Sequence, residues 1–106
     1  MDQAVATVYA ALGDPTRCQI VERLSRGDAT VKELRAPLRM TPPAVSKHLR
    51  VLEQAGLIER RRQGRLQLCC LQGDQLIRAR RWLDDQTGFW SATLDSLGQF
   101  LGDGQP

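Results

Sequence analysis

The stretch from Thr41 to Leu52, TPPAVSKHLRVL, constrains the fold of this chain more than any other. On a helix, Val45, Leu49 and Leu52 stand at i, i+4 and i+7 and form a narrow apolar stripe that has to be buried. The opposite side of this helix carries Pro43, Ser46, Lys47, Arg50 and Gln54. Thr41 is a good N-cap, and Pro42 suits the first helical position, where its missing N–H costs nothing. The stretch therefore predicts a helix with one buried face and one open, polar face.

Three shorter helices are predicted before it. The first covers residues 4–12, and the second begins after the N-cap Asp14 and reaches about residue 26. The third opens at Thr30 with a T-x-x-E capping box, and Pro37 limits it to about two turns. Two short helices, a tight connection and a longer helix with a polar face are typical of a helix-turn-helix.

Two strand-like runs follow the Thr41 helix, over residues 57–62 and 65–71. Gln63 and Gly64 lie between them, and because glycine readily adopts a positive φ, the pattern predicts a hairpin. A two-residue loop would place Arg62 opposite Arg65, and like charges that face each other across strands are destabilising. A phosphate backbone beside the hairpin would offset this repulsion, whereas the alternative is an arginine cluster that only water solvates.

The last segment, residues 74–101, repeats apolar residues at three- and four-residue steps over roughly seven turns. So wide an apolar side exceeds what four short helices can cover, and we expect the same helix of a second subunit to pack against it. The terminal helices would then supply a dimer interface made of Val5, Val8, Leu83, Trp90, Leu94, Leu97 and Leu101. An alternative role for Trp82, Phe89 and Trp90 is to line a small-molecule pocket at this interface.

Charge is distributed unevenly along the 106 residues, whose net charge is +3. Residues 45–65 carry six cations and two acids, whereas residues 84–106 carry four acids and no lysine or arginine. A polyanion would attract the first segment and repel the second. Length and composition predict one globular domain over residues 1–106. With no signal-peptide pattern, no run of about 18 apolar residues and an odd number of cysteines, we expect a cytoplasmic protein that does not enter a membrane.

Three motifs resemble the ArsR/SmtB family of bacterial winged-helix repressors: ALGDPTR at residues 11–17, PPAVSKHLRVLEQAGLI at 42–58 and RRRQGR at 60–65. The resemblance extends from about residue 5 to residue 101 in the family's order of elements. It implies a mainly α winged helix-turn-helix of five helices and a two-stranded wing, which dimerises through its terminal helices. It also implies a homodimeric repressor that binds a palindromic DNA operator, usually near its own promoter, and releases it on a signal.

Within this family, the recognition helix would be residues 41–55, the β-wing residues 57–72 and the dimerisation helix residues 74–101. The implied DNA contacts are Thr41, Pro43, Ala44, Ser46, Lys47, His48 and Arg50 of the helix and Arg60, Arg61, Arg62 and Arg65 of the wing. Ser46 and the helix N-terminus would read base edges, while the cations would hold phosphates. His48 lies about 60° from the apolar stripe, and so either touches a phosphate or packs at the edge.

The ligands of the metal-sensing family members are missing from this sequence. Those members have a cysteine pair in the third helix or histidine and acidic ligands in the last, but here the third helix has no cysteine and the last has no histidine. We therefore expect no metal and no cofactor, and the effector is unknown. Cys69 and Cys70 are adjacent in a strand, so they point to opposite faces and cannot jointly hold an ion.

Three alternative functions remain to be weighed. Cys18 lies near a helix N-terminus beside Arg17, a setting that can lower the pKa of a thiol and activate it, so the protein could be a thiol-sensing repressor. Alternatively, Cys18 is a small buried residue that only fills space in the core. A second alternative is a protein–protein interaction module whose basic face meets an acidic partner. An enzyme is not expected, because the chain has no C-x-x-C, no glycine-rich phosphate loop and one histidine.

Overall fold

Five helices and a small antiparallel sheet make up the computed structural model, which describes residues 1–103. The predicted domain also includes residues 104–106, which lie outside the described part. The elements in chain order are α1 (Gln3–Leu12), α2 (Pro15–Leu24), β1 (Ala29–Thr30), α3 (Val31–Arg35), α4 (Pro42–Gln54), β2 (Ile58–Gln63), β3 (Leu66–Leu71) and α5 (Gly73–Asp103). This confirms the predicted winged helix-turn-helix fold class. None of the described helices is both long and apolar enough to span a membrane.

Three of the helices, α2, α3 and α4, begin at the side-chain caps that the sequence predicted. Asp14 Oδ2 accepts a hydrogen bond from the Arg17 amide at 3.0 Å and so starts α2. Thr30 and Glu33 form the predicted capping box at the start of α3, because each side chain accepts a hydrogen bond from the backbone amide of the other residue. Thr41 caps α4 by accepting from the Ala44 amide at 3.3 Å. Each cap satisfies an amide that has no partner within its helix.

The sheet differs from the prediction in two ways. It has three strands in the order β1-β3-β2, and the two residues of β1, opposite Cys69 and Leu68 of β3, were not predicted. The wing turn also lies one residue later than expected, since Gln63 pairs with Leu66 and Arg62 with Gln67. Gly64, with φ of +60°, takes the first central position of the turn and Arg65 the second. The predicted pairing of Arg62 with Arg65 is therefore wrong.

The core forms around the apolar stripe of α4. Val45, Leu49 and Leu52 are at most 1% exposed, as the sequence predicted. Val5 and Val8 of α1 are also buried within this single chain, at 5% and 0% exposure. Their side chains therefore pack mainly within their own subunit, and a contact between them and a partner subunit stays a prediction. The apolar period of α1 indicated a buried face correctly, but its neighbours are in the same chain.

Helix α5 has two parts with different surroundings. Its first turns pack on α1, where the Tyr9 hydroxyl donates to the Ala79 carbonyl and the Tyr9 and Trp82 rings meet edge to face at 5.8 Å. Every residue of 87–101 is exposed. With 31 residues and a rise of about 1.5 Å each, the helix extends well beyond the body of the molecule.

The glycine that follows α4 provides a test of this packing. Gly56 has φ of +75°, and a Cβ there would lie 3.0 Å from Cγ of Gln75 in α5. We expect Gly56→Ala to lower the free energy of unfolding, measured in urea, by about 1–3 kcal/mol through backbone strain and crowding. Gly73→Ala is the matched control, because no atom lies within 4 Å and its φ is ordinary. Equal midpoints for the two variants would contradict the assignment of strain to residue 56.

Candidate nucleic-acid interface

Helix α4 presents its N-terminal half and its outer face to solvent. The exposed side chains are Thr41, Pro43, Lys47 and Arg50, and Ala44 and Ser46 are partly exposed. The buried stripe of α4 fixes this orientation, because a helix that is packed along one side must turn the other side outward. Six of the seven residues implied as DNA contacts on this helix therefore lie on or beside one open surface.

His48 is the exception on this helix. Its Nδ1 lies 3.3 Å from Nη1 of Arg17 and 3.7 Å from Oδ2 of Asp14, and its side chain is only 18% exposed. The hydrogen bond from the Arg17 amide, together with the nearby charge of Arg17, holds the pKa of the Asp14 carboxyl below its usual value. Of the two roles left open by the sequence, these contacts favour packing at the edge over contact with a phosphate.

The wing arginines divide into two pairs. Arg60 Nη2 lies 3.0 Å from Glu53 Oε1 of α4, so its charge is partly compensated and the contact ties the wing to α4. Arg61 Nε lies 3.2 Å from Glu59 Oε1, a contact that raises the pKa of the Arg61 guanidinium. Arg62 and Arg65 are exposed at the tip, and among residues 1–101, whose side chains the structure describes, neither has an acidic partner. The tip therefore offers two uncompensated cations.

The structure also shows cations that sequence reasoning missed. Lys32 of α3 and Arg65 of the wing line one cleft of about 300 Å³, together with Thr30 and Gln67. Arg39, in the turn between α3 and α4, is exposed and has φ of +26°. The position of Lys32 in the first helix of a helix-turn-helix was an available signal, because that helix crosses the nucleic-acid backbone in this motif. Exposed cations therefore lie on α3, in the turn before α4 and on the wing, in addition to those of α4 itself.

The three cysteines lie in different environments. The Cys18 thiol donates to the Leu12 carbonyl at 2.9 Å and is partly buried. Cys69 is buried in the core, and this burial raises its pKa to about 11. Cys70 is buried on the other face, where burial and a hydrogen bond with Asp28 raise its pKa. Among the side chains of residues 1–101, no three His, Cys, Asp or Glu residues cluster closely enough to hold a metal ion.

The remaining residues predicted for the dimer interface all lie along α5. They are Leu83, Trp90, Leu94, Leu97 and Leu101, and each is between 49% and 60% exposed. Phe89 and Phe100 are exposed beside them, at 66% and 74%. Trp82 instead packs on Tyr9, away from the Phe89–Trp90 pair, whose ring centroids are 6.0 Å apart. We call the five predicted interface residues of this helix the α5 stripe: Leu83, Trp90, Leu94, Leu97 and Leu101.

Comparisons with known proteins agree with this geometry. The family model described as "Bacterial regulatory protein, arsR family" matches residues 14–60. The HTH-type transcriptional regulator Rv2034 of Mycobacterium tuberculosis is 39% identical over 93 residues, which are 88% of this chain and 84% of that protein. A crystallised ArsR family transcriptional regulator has 37% identity and a TM-score of 0.79, covering 84% of this chain and 98% of its own.

A further solved structure, from Mycobacterium bovis, is described as a homodimeric winged helix-turn-helix DNA-binding domain and a possible ArsR-family regulator. It has 27% identity and a TM-score of 0.63, with 87% of this chain and 82% of that chain covered. The transcriptional repressor SdpR of Bacillus subtilis is 37% identical over 57 residues, which are 54% of this chain and 63% of that repressor.

The burial of the thiols predicts their order of reaction. In the native protein at pH 8, we expect the partly exposed Cys18 to react first with a chromogenic disulfide reagent. Cys69 and Cys70 should react only as the fold opens, because they are buried and burial raises their pKa. The Cys18→Ser variant should lack the fast phase. A fast phase of two or more thiols in the wild type would contradict this order.

Proposed function

The chain belongs to the ArsR family of bacterial regulatory proteins, which are transcriptional regulators and not enzymes, and on this basis we propose that it is a homodimeric repressor of a palindromic operator. Helix α4 would lie in the major groove and the wing would lie along the neighbouring backbone. As a repressor of chromosomal genes it would act in the bacterial cytoplasm. The first DNA to examine for an operator is the promoter of the protein's own gene.

One observation carries the proposal: α4 turns a polar face to solvent, and exposed cations lie on the elements that precede and follow it in the chain. Lys32 of α3 lines the same cleft as Arg65, and Arg62 and Arg65 lie at the wing tip. A duplex whose major groove received α4 would bring its phosphates near these cations, and phosphate contacts of this kind fix register and supply affinity. Lys47 and Arg50 would add phosphate contacts from the helix itself.

Base recognition would come from the first turns of α4. The Ser46 hydroxyl is both donor and acceptor and so can meet most base edges, while the Ala44 methyl suits the methyl group of thymine. Both side chains are partly exposed and are held by a helix whose opposite side is buried in the core. A rigid helix presents these small groups at a defined depth, which is what discrimination between bases requires.

The α5 stripe supports the dimer. A soluble protein rarely leaves so many large apolar side chains in one exposed patch, and a second copy of the helix would cover them by two-fold symmetry. The similar M. bovis domain is described as homodimeric. The acids Asp84, Asp85 and Asp95 lie on the same helix, so this end of the molecule would turn away from DNA.

Selection of bound fragments from sheared host genomic DNA at about 0.15 M salt tests the proposal. We expect enrichment of a site with two inverted half-sites whose centres are about one helical turn apart, because a two-fold dimer presents two recognition helices. Binding without preference over random fragments would contradict the repressor and would favour the protein–protein module with a basic face.

Single substitutions then assign roles within the interface. Lys47→Ala and Arg62→Ala should weaken binding to all sequences and reduce the slope of log affinity against log salt by about 1 each. Ser46→Ala should instead relax the preference at particular bases. Arg60→Ala is the matched control in the wing, since Glu53 already engages Arg60. A salt slope that falls as much for Arg60→Ala as for Arg62→Ala would contradict the division of the wing arginines.

The dimer is tested by placing a charge in the α5 stripe. Leu94→Glu should convert the protein to monomers in analytical ultracentrifugation, because the carboxylate would be buried without a partner. Gln99→Glu is the matched control, since it adds the same charge about 140° further around the helix. Both positions are exposed in the protomer, so neither change should unfold it. Dimers of equal strength in both variants would exclude the α5 stripe as the interface.

A further inference from the structure

Arg17 joins three helices at one point. Its Nε donates to the Ala11 carbonyl and its Nη2 donates to the Ala10 carbonyl at 3.4 Å, both at the C-terminal end of α1. Its Nη1 lies 3.3 Å from Nδ1 of His48, in the middle of α4. Arg17 itself belongs to the first turn of α2. One guanidinium therefore connects the end of α1 with the recognition helix.

Each contact has a chemical reason. The last carbonyls of a helix have no amide partner within the helix, and α1 has no basic residue in its last turn to satisfy them. The guanidinium of Arg17 supplies donors from the next helix instead. Because arginine has donors and no acceptor, Nδ1 of His48 must accept the hydrogen bond, and the neutral ring carries its hydrogen on Nε2. Arg17 thus selects one tautomer of His48.

Helix α1 is in turn attached to α5. The Tyr9 hydroxyl donates to the Ala79 carbonyl, and Arg78 Nη2 lies 2.8 Å from Asp2 Oδ2. The contacts therefore run from α5 to α1, from α1 to Arg17, and from Arg17 to His48 on α4. The α5 stripe stands at one end of this series and the open face of α4 at the other.

We propose that Arg17 is a positioning residue which, through His48, fixes the orientation of the recognition helix relative to the dimerisation helix. In the homodimeric repressor proposed above, on which this inference rests, that orientation sets the separation of the two recognition helices. Their separation has to match the distance between half-sites, about 34–36 Å for one helical turn of DNA. His48 is then a positioning contact and not a DNA contact.

The test measures how well the protein discriminates between half-site spacings. Wild-type protein and Arg17→Met are titrated against the selected operator and against versions with one base pair added or removed between the half-sites. We expect the wild type to lose at least about tenfold in affinity with either altered spacing, since each mismatched site costs contacts in one half. Arg17→Met should bind the native spacing more weakly and discriminate by less than about threefold.

Two outcomes overturn the inference. Undiminished spacing discrimination in Arg17→Met shows that another contact fixes α4. A salt slope that falls by about 1 in Arg17→Met shows that Arg17 holds a phosphate directly. Both outcomes leave operator binding by the wild type intact. A wild type that selects no operator is a different result, because it contradicts the proposed function on which the inference rests.

Two substitutions of His48 separate this role from general stability, because both leave the contacts of Arg17 with α1 in place. His48→Asn retains an acceptor near the position of Nδ1, and His48→Leu removes it. We expect the asparagine variant to keep most of the spacing discrimination and the leucine variant to lose it as Arg17→Met does. Equal behaviour of the two variants contradicts a hydrogen bond to position 48.

Ring nitrogen NMR reports on the contact without DNA. His48 is the only histidine in the chain, so its two ring ¹⁵N signals need no further assignment. In the neutral ring of the wild type, we expect Nδ1 to be unprotonated, and in Arg17→Met the Nδ1–H form should rise because Asp14 becomes the nearest acceptor. A wild-type ring with its hydrogen on Nδ1 excludes the hydrogen bond from Arg17.

Discussion

Burial of the narrow stripe of α4 is the constraint on which the rest of the structure depends. Val45, Leu49 and Leu52 lie in the core together with Val8, Ile20 and Leu57, so residues of α1, α2 and the start of the wing pack around this one helix. Because the stripe occupies only one side of the helix, the same packing determines which side chains of α4 face solvent. The hydrophobic core and the candidate DNA surface are thus two faces of a single element.

Features that depend on local chemistry could be predicted from the sequence. The caps at Thr30 and Thr41 and the buried stripe of α4 involve residues within a few positions of one another, and the structure has them as predicted. Features that depend on distant partners could not. Strand β1 has two residues and exists because Cys69 and Leu68 pair with it. The periodicity of α1 showed that Val8 is buried, but not that its neighbours belong to the same chain.

The candidate site shows the same division. Counting charges over residues 45–65 treated the four wing arginines as equal, yet contacts with Glu53 and Glu59 leave the two at the tip as the uncompensated pair. The angle of His48 on α4 identified it as a boundary residue, but only the fold brings Asp14 and Arg17 to its ring. Lys32 was overlooked because its significance comes from the cleft it shares with Arg65.

The wing is joined to the helix-turn-helix at two points. These contacts bear on whether the protein or the DNA would change shape in the proposed complex. Strand β1, which immediately precedes α3, pairs with strand β3 of the wing. The contact between Arg60 and Glu53 holds the wing against α4. A wing that is held at both points would not move freely relative to α4 in order to follow a straight duplex. In such a complex the duplex would have to conform to the protein, and the cost of bending would depend on how easily its base steps deform. In the proposed complex, flexible steps would therefore be favoured even at positions that no side chain touches.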